Sequence, residues 1–343
     1  ESSFSGCRNL KLSQSSAPNN HPFPLSVNSI GKSAFLNCEN LGEINLFNLA
    51  LLTNIGSNAF EKCEQLTLSQ SQTPDKHTFP ASLTSIGKSA FSDCKNLGEI
   101  TLFNLEALTA IEYGSFSGCI ILELLQSRDT DHTFPDNVNK IGGYAFQGCN
   151  NLTYINMSNL TITNLALFTF GSCANLKTVK LPITITKIGV GVFKDCINLD
   201  EINLEDLTDL EIDSEYYGAF ENCQRLKNFP KNIKGLIGIN CFKGCESLGP
   251  KLEIPQSVTD IGQEAFEGCS KLEEVIIPEG ITKIGYRSFI NCINMKSIKF
   301  PRSLIEIGNG AFWNCSSLEK VEVYKTTIYK SSFNEKTKIT EVE

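Results

Sequence analysis

The sequence holds only two Met, one Trp and three His among 343 residues. No apolar run approaches the roughly 18 residues that a membrane helix needs, so no membrane insertion of this segment is expected. Positive charge is in deficit: 30 Lys and Arg against 38 Asp and Glu leave a net charge of -8. Nucleic-acid phosphates require a basic face, so nucleic acid is not an expected partner. Scarce His leaves no Ser-His-Asp or Cys-His set and no zinc site. No glycine-rich nucleotide motif follows a strand. No catalytic residue, metal ligand or cofactor is therefore assigned, and the chain is not expected to be an enzyme. The chain opens without Met or a signal-like segment, and inside a repeated unit, as expected of a mature product or a fragment.

One residue type is abundant. There are fourteen Cys, and thirteen of them close the pattern Phe-x-x-Cys, from Phe4/Cys7 to Phe312/Cys315. Successive copies lie 22 to 31 residues apart. The ladder includes Phe35/Cys38, Phe91/Cys94, Phe146/Cys149, Phe193/Cys196, Phe266/Cys269 and Phe289/Cys292. A decayed copy follows in "SFNEKTKITEV", where Phe333 keeps its place and Lys336 replaces the Cys. Self-similarity at this period marks a repeat architecture.

The shortest unit reads "FEGCSKLEEVIIPEGITKIGYRSF" from Phe266. Its "LEEVIIP" alternates like a short half-buried strand and is stopped by Pro278. Gly285 opens a turn that places Phe289 and Cys292 on one side. One strand, a bend and a compact turn per unit are predicted. A unit of about 23 residues buries its apolar edges only by stacking on neighbours, which turns the Phe, Cys and Leu positions into continuous rows. One solenoid of about fourteen units over 1–343 is expected. Its parts are paired long and short units over 1–140, regular units over 141–325 and a degenerate terminal unit over 326–343.

The stretch "VTDIGQEAFEGCSKLEEVIIPEGITKIG", Val258 to Gly285, resembles the BspA-like leucine-rich repeats. Ile-Gly, Ala-Phe, Cys, Leu, strand and Pro recur in that order over essentially the whole chain. The resemblance implies a curved leucine-rich-repeat solenoid, with a single parallel sheet on the concave face and short helical or 3₁₀ turns on the convex side. It also implies a non-catalytic module for adhesion to a protein or glycan partner, at the cell surface or after secretion. The alternative is an intracellular, cytoplasmic scaffold. The family pattern contains no catalytic residues to carry over.

The first half departs from the pattern. Cys7, Cys63 and Cys119 are 56 residues apart, and alternate units carry inserts: "SQSSAPNNHPFP", "SQSQTPDKHTFP" and "LQSRDTDHTFP". His21, His77 and His132 all lie in these inserts, each two residues before Phe-Pro. His in every second unit are about 10 Å apart, twice the strand spacing, which no single metal ion bridges. A duplicated loop is the simpler account. Each Cys fills a fixed slot beside the Phe, which points to buried free thiols rather than a disulfide framework. Cys241, in place of the Ala before Phe242, is read as a small-residue swap. The sequons at Asn151, Asn156, Asn159 and Asn314 are no more than chance produces at this Asn, Ser and Thr content.

What remains is surface. Alternate strand residues face outward, a row that includes Glu43 and Asn45, Glu99 and Thr101, Tyr154 and Asn156, Thr178 and Lys180, and Glu201 and Asn203. Recognition patches favour aromatic and Arg anchors, so Tyr154, Asn156, Thr178, Lys180, Glu201 and Asn203 are the candidate binding residues. Trp313 should point away from the core.

Overall fold

The computed structural model describes residues 2–12, 23–72 and 76–343. They form two compact units, Glu1–Pro182 and Ile183–Glu343. Among the described residues the one helix is a short 3₁₀ turn, Leu204–Asp206; the rest is short parallel strands joined by turns.

In the first unit the outward-facing ladder expected from the sequence is present as strand pairs: Glu43–Ile44 with Thr67–Leu68, Glu99–Thr101 with Glu123–Leu125, and Tyr154–Asn156 with Thr178–Lys180. The sequence suggests a single sheet. The structure adds a second, running through the Ile-Gly segments. Strands Ser29–Ile30, Asn54–Ile55, Ser85–Ile86, Ala110–Ile111 and Lys140–Ile141 make one five-stranded parallel sheet. Each is only two residues long, too short to show any alternation, so it carries no strand signature. The Gly that follows has a packing cause. A Cβ on Gly87 would lie 2.8 Å from the Gly56 carbonyl carbon, and one on Gly142 would lie 2.5 Å from the Tyr113 nitrogen. Adjacent coils thus approach too closely for a side chain.

A third set of inter-coil bonds runs through the turns. Phe60 N donates to Ala90 O at 2.7 Å, Phe91 N to Ser115 O at 2.8 Å and Phe116 N to Ala145 O at 2.8 Å. The rings follow the backbone. Neighbouring ladder Phe from Phe4 to Phe170 stack with centroids 5.2 to 5.6 Å apart. Their planes are within about 10° of parallel, the offset geometry that aromatic quadrupoles prefer. Phe60, Phe91, Phe116, Phe146 and Phe170 are fully buried. The residue before each Cys is left-handed: Asn37, Asp93, Gly118 and Gly148 have φ of 59°, 58°, 75° and 70°. This conformation favours Gly, Asn and Asp, as in the "LNC", "SDC" and "SGC" spellings, although Lys62 and Ser172 adopt it before Cys63 and Cys173.

Thirteen of the fourteen cysteines are buried, Cys7 alone is exposed, and all are free thiols. They do more than fill space. Cys38 Sγ donates to Phe4 O at 3.1 Å, Cys63 Sγ to Phe35 O at 3.1 Å and Cys94 Sγ to Phe60 O at 3.1 Å. Cys119 Sγ donates to Phe91 O at 3.0 Å and Cys149 Sγ to Phe116 O at 3.1 Å. Every Phe carbonyl so used already accepts the N–H of its own turn's Cys, as in Cys63 N to Phe60 O at 3.0 Å. The thiol meets the second lone pair. Burial raises these thiols, to about 12 at Cys63 and Cys173. The thiolate, the reactive form, is therefore suppressed at neutral pH.

The second unit repeats the scheme without the His-bearing inserts. One four-stranded sheet joins Gly235–Ile237, Val258–Ile261, Lys283–Ile284 and Glu306–Ile307, and a three-stranded sheet joins Lys251–Glu253, Glu274–Ile276 and Ser297–Lys299. Phe193 to Phe333 continue as a stack with centroids 5.1 to 5.6 Å apart. Cys196 fills its slot as the sequence suggests. The thiol is fully buried and forms no disulfide, and the residue also closes its turn through the backbone. Cys196 N donates to Phe193 O at 3.1 Å, and Leu199 N donates to Cys196 O at 3.0 Å. Cys223, Cys245, Cys269, Cys292 and Cys315 each donate Sγ–H to a Phe carbonyl at 3.1 to 3.3 Å. Cys241 is fully buried, in the slot Ala219 and Ala265 also fill. The decayed copy is a true coil: Phe333 stacks on Phe312 at 5.1 Å, and Lys338–Val342 pairs with Lys320–Tyr324. Trp313 is 38% exposed.

Candidate interaction surface

The inserts of the first unit leave the ladder after a strand and return to it at His-Thr-Phe-Pro. Both described inserts are closed the same way: Ser71 N donates to His77 O, and Ser127 N to His132 O, each at 2.9 Å. Both then cover the next strand. Thr101 N donates to Thr78 Oγ1 at 3.0 Å and Asn156 N to Thr133 Oγ1 at 2.9 Å. Phe79 and Phe134 turn inward against the ladder rings of Phe91 and Phe146, at 5.9 and 6.0 Å. His21 lies outside the described residues.

This cover corrects part of the sequence reading. Thr101 and Asn156, expected to face outward, are 0% and 3% exposed, and Asn45 is 7% exposed. For Thr101 and Asn156 the cause is the insert: Thr78 and Thr133 occupy the space beside them and take their hydrogen bonds. Asn156 spends its Oδ1 on Ser158, accepting from its N–H and Oγ–H at 3.1 and 2.8 Å. Asn156 is therefore not a surface residue.

Tyr154, Thr178 and Lys180 are brought together. Register places Tyr154 beside Thr178 and Asn156 beside Lys180. Asp131, from the tip of the second described insert, completes the group. The Tyr154 hydroxyl donates to the Asp131 carboxylate. Lys180 Nζ lies 3.1 Å from Asp131 Oδ2 and 5.5 Å from the Tyr154 ring centroid, within cation–π range. The Tyr154 hydroxyl, then Lys180, hold the Asp131 carboxyl below its ordinary value. Burial, with the carboxylate beside it, pushes the Tyr154 phenol up. The hydrogen bond to Tyr154, with Asp131 in support, raises Lys180. One pair of coils earlier, Lys76 and Gln70 reach Glu99 at 3.1 and 3.2 Å, so each insert grips the outward residue of the strand that follows. Asp131 escapes a reading based on strand alternation, because it sits in a loop; its signal is position, since Lys76 occupies the matching place in the neighbouring insert. Glu201 and Asn203 belong to the second unit, exposed and half-buried respectively.

Each of the two described inserts also walls a groove. The first, of about 610 Å³, is lined by Phe47, Asn48, Ser71, His77 and Phe79 among others. The second, of about 390 Å³, is lined by Phe103, Glu106, Ser127, His132, Phe134 and Asp136 among others. Among the described residues no group of three or more His, Cys, Asp or Glu converges as a metal-ligand set. No helix of the described residues is long and apolar enough to cross a membrane.

The repeat order, the stacked rings and the paired strands find their counterpart in a known family. BspA type leucine rich repeat region, in six copies, matches residues 1–130, 125–249 and 235–343. The chain belongs to the BspA-type leucine-rich repeat family. Among solved structures, this BspA-type chain is similar to a leucine-rich repeat protein from Bacteroides ovatus. The identity is 29%, over 92% of this chain and 88% of that one, with a TM-score of 0.53. A leucine rich cell surface protein from Faecalibacterium prausnitzii shares the fold at 23% identity, 92% and 83% coverage and a TM-score of 0.58. A leucine-rich repeat protein from Eubacterium ventriosum shares it at 20% identity, 89% and 85% coverage and a TM-score of 0.50. No curated protein matches the chain.

Proposed function

We propose that this BspA-type chain is a non-catalytic interaction module that holds a protein or glycan partner at the cell surface or after secretion. Membership of a leucine-rich repeat family supports the reading. The observation that carries it is the group at Asp131, Tyr154 and Lys180. The ladders already satisfy the interior without it, yet an aromatic ring, a cation and a carboxylate are fixed together on the strand face. Aromatic rings held rigid by polar neighbours are the usual anchors of recognition surfaces, because little side-chain entropy is lost on binding. Thr178 flanks this anchor; Glu201 and Asn203 are separate candidates on the second unit.

The test has two arms. Immunolocalisation in the source cells should place the protein outside the plasma membrane. The purified chain should bind intact target cells, and Tyr154→Ala with Lys180→Glu should lower that binding at least about tenfold, as loss of one hot-spot anchor implies. A cytosolic location with no binding to cells would refute the surface reading. It would favour an intracellular scaffold, the alternative that the thirteen buried free thiols support, since unpaired Cys is commonest in reducing compartments.

A further inference from the structure

The second unit shows that these coils close without the His-bearing inserts, so stacking does not explain why those inserts are present in the first. What the inserts build is the same groove twice. Phe47 and Phe103 occupy equivalent places, as do Ser71 and Ser127, His77 and His132, and Phe79 and Phe134. In each groove a half-buried Phe of the preceding coil faces the insert's His and Ser, over a floor made by the buried insert Phe. The polar groups are held in place. The Asn104 side-chain amide is hydrogen-bonded to His77 Nδ1. His77 N donates to Ser71 Oγ at 2.9 Å. In the second groove Asp136 Oδ1 accepts from Asn159 Nδ2 at 2.8 Å. An aromatic face with a few fixed polar groups is the composition of a small-ligand site.

The lining selects the ligand class. Among the described residues no Lys or Arg lines either groove, and the second presents the carboxylates of Glu106 and Asp136, so an anionic ligand is disfavoured. Carboxylates only accept, so the ligand must donate hydrogen bonds; hydroxyl, amide and imidazole groups beside them both donate and accept. A proline-rich peptide has aromatic partners in other proteins, but it lacks backbone donors. Sugar hydroxyls donate and accept, and the C–H faces of a pyranose ring pack on an aromatic ring. Spacing agrees. The grooves are two coils apart, steps marked by ring separations of 5.3 and 5.4 Å, or about 10 Å, twice the strand spacing. This is of the order of one disaccharide of an extended β-linked chain.

We propose that the two insert grooves are subsites for a neutral, extended polysaccharide, taken up with a disaccharide period. This gives the adhesion reading a ligand class and rests on it only for where the ligand is met. The test measures binding of neutral β-linked glucan and mannan oligosaccharides of two to eight sugars to the purified full chain by calorimetry. For at least one of them, affinity should rise at least about tenfold once the oligosaccharide spans both grooves, as linked sites act at high effective concentration. Phe103→Ala should remove that gain with length, and Phe47→Ala with Phe103→Ala should abolish binding. Glu106→Gln with Asp136→Asn, which leaves the fold and shape intact, should weaken binding at least about threefold. No heat from millimolar oligosaccharides of both series would overturn the proposal, as would binding indifferent to these four substitutions or preferred binding of a proline-rich peptide. A chain that binds sugar but proves cytosolic keeps the grooves and loses the surface reading; a surface chain that binds cells but no sugar does the reverse.

Discussion

Phe91→Ala strikes the first unit at its middle. The ring is fully buried, stacks on Phe60 at 5.3 Å and on Phe116 at 5.4 Å, and takes the edge of Phe79 at 5.9 Å. Truncating a buried Phe costs about 3–5 kcal/mol in lost transfer energy and residual cavity. The upper half of that range is expected here. The hydrogen bonds of Phe91 N to Ser115 O and of Cys119 Sγ to Phe91 O, 2.8 and 3.0 Å, fix the spacing of the coils and so limit collapse into the cavity. Two lost stacking partners, each of about 0.5–1.5 kcal/mol, lie within that total. Phe4→Ala is the control, because that ring is 42% exposed and stacks on one side only, at 5.3 Å on Phe35; it should cost less than about 1 kcal/mol. Urea denaturation followed by circular dichroism reads both. A loss below about 1 kcal/mol for Phe91→Ala, or equal losses for the two variants, would refute mutual shelter between coils.

Further outcomes follow from the same geometry. Native protein treated with iodoacetamide at pH 8 should be labelled at Cys7 alone and, once unfolded, at all fourteen cysteines, which intact-mass measurement counts. Burial raises the folded thiols from their ordinary 9.0, to about 12 at Cys63 and Cys173, so between those values the unfolded state holds fewer protons. Stability should therefore be intact below pH 9 and fall as pH rises from 9 towards 12, visible as a falling urea midpoint. Gly87→Ala places a Cβ 2.8 Å from backbone carbon of the preceding coil and should cost about 1–3 kcal/mol, the range for overpacking; Glu112, which stands in the matching slot two residues before Gly114, shows that a coil can shift to admit one. Asp131→Asn removes an exposed ion pair and should change stability by no more than about 1 kcal/mol, while freeing Lys180 and lowering the Tyr154 phenol pKa in an absorbance titration.

The ladder was legible because one slot recurs unchanged: wherever stacking demands a ring and a thiol, Phe and Cys are written again. The reason for Cys rather than Ala was not, since the demand comes from a carbonyl lone pair on the coil before, at Phe60 for Cys94, and a backbone acceptor leaves no letter in the sequence. The turn-closing backbone bonds of Cys196 are hidden for the same reason. Ile-Gly was visible as a motif, but its cause is the close approach at Gly56 and Gly87, not a turn alone. Tyr154 and Lys180 were found by alternation, which holds where a strand is open on its outer face. Alternation failed at Asn156 and Thr101 because an insert that bypasses the ladder in sequence returns to cover it in space. The repeated grooves left a trace in the 56-residue period, in the paired "LFNL" and His-Thr-Phe-Pro spellings, yet only coordinates bring Phe103 and His132 to one cavity.

Native-state hydrogen exchange tests the shared shelter of the coils most directly. The amides of Phe60, Phe91 and Phe116, each bonded to a carbonyl of the following coil at 2.7 to 2.8 Å, should exchange in the slowest class, while the exposed insert residues Arg128 to Thr130 exchange fastest. Ladder amides exchanging as quickly as those insert residues would contradict it.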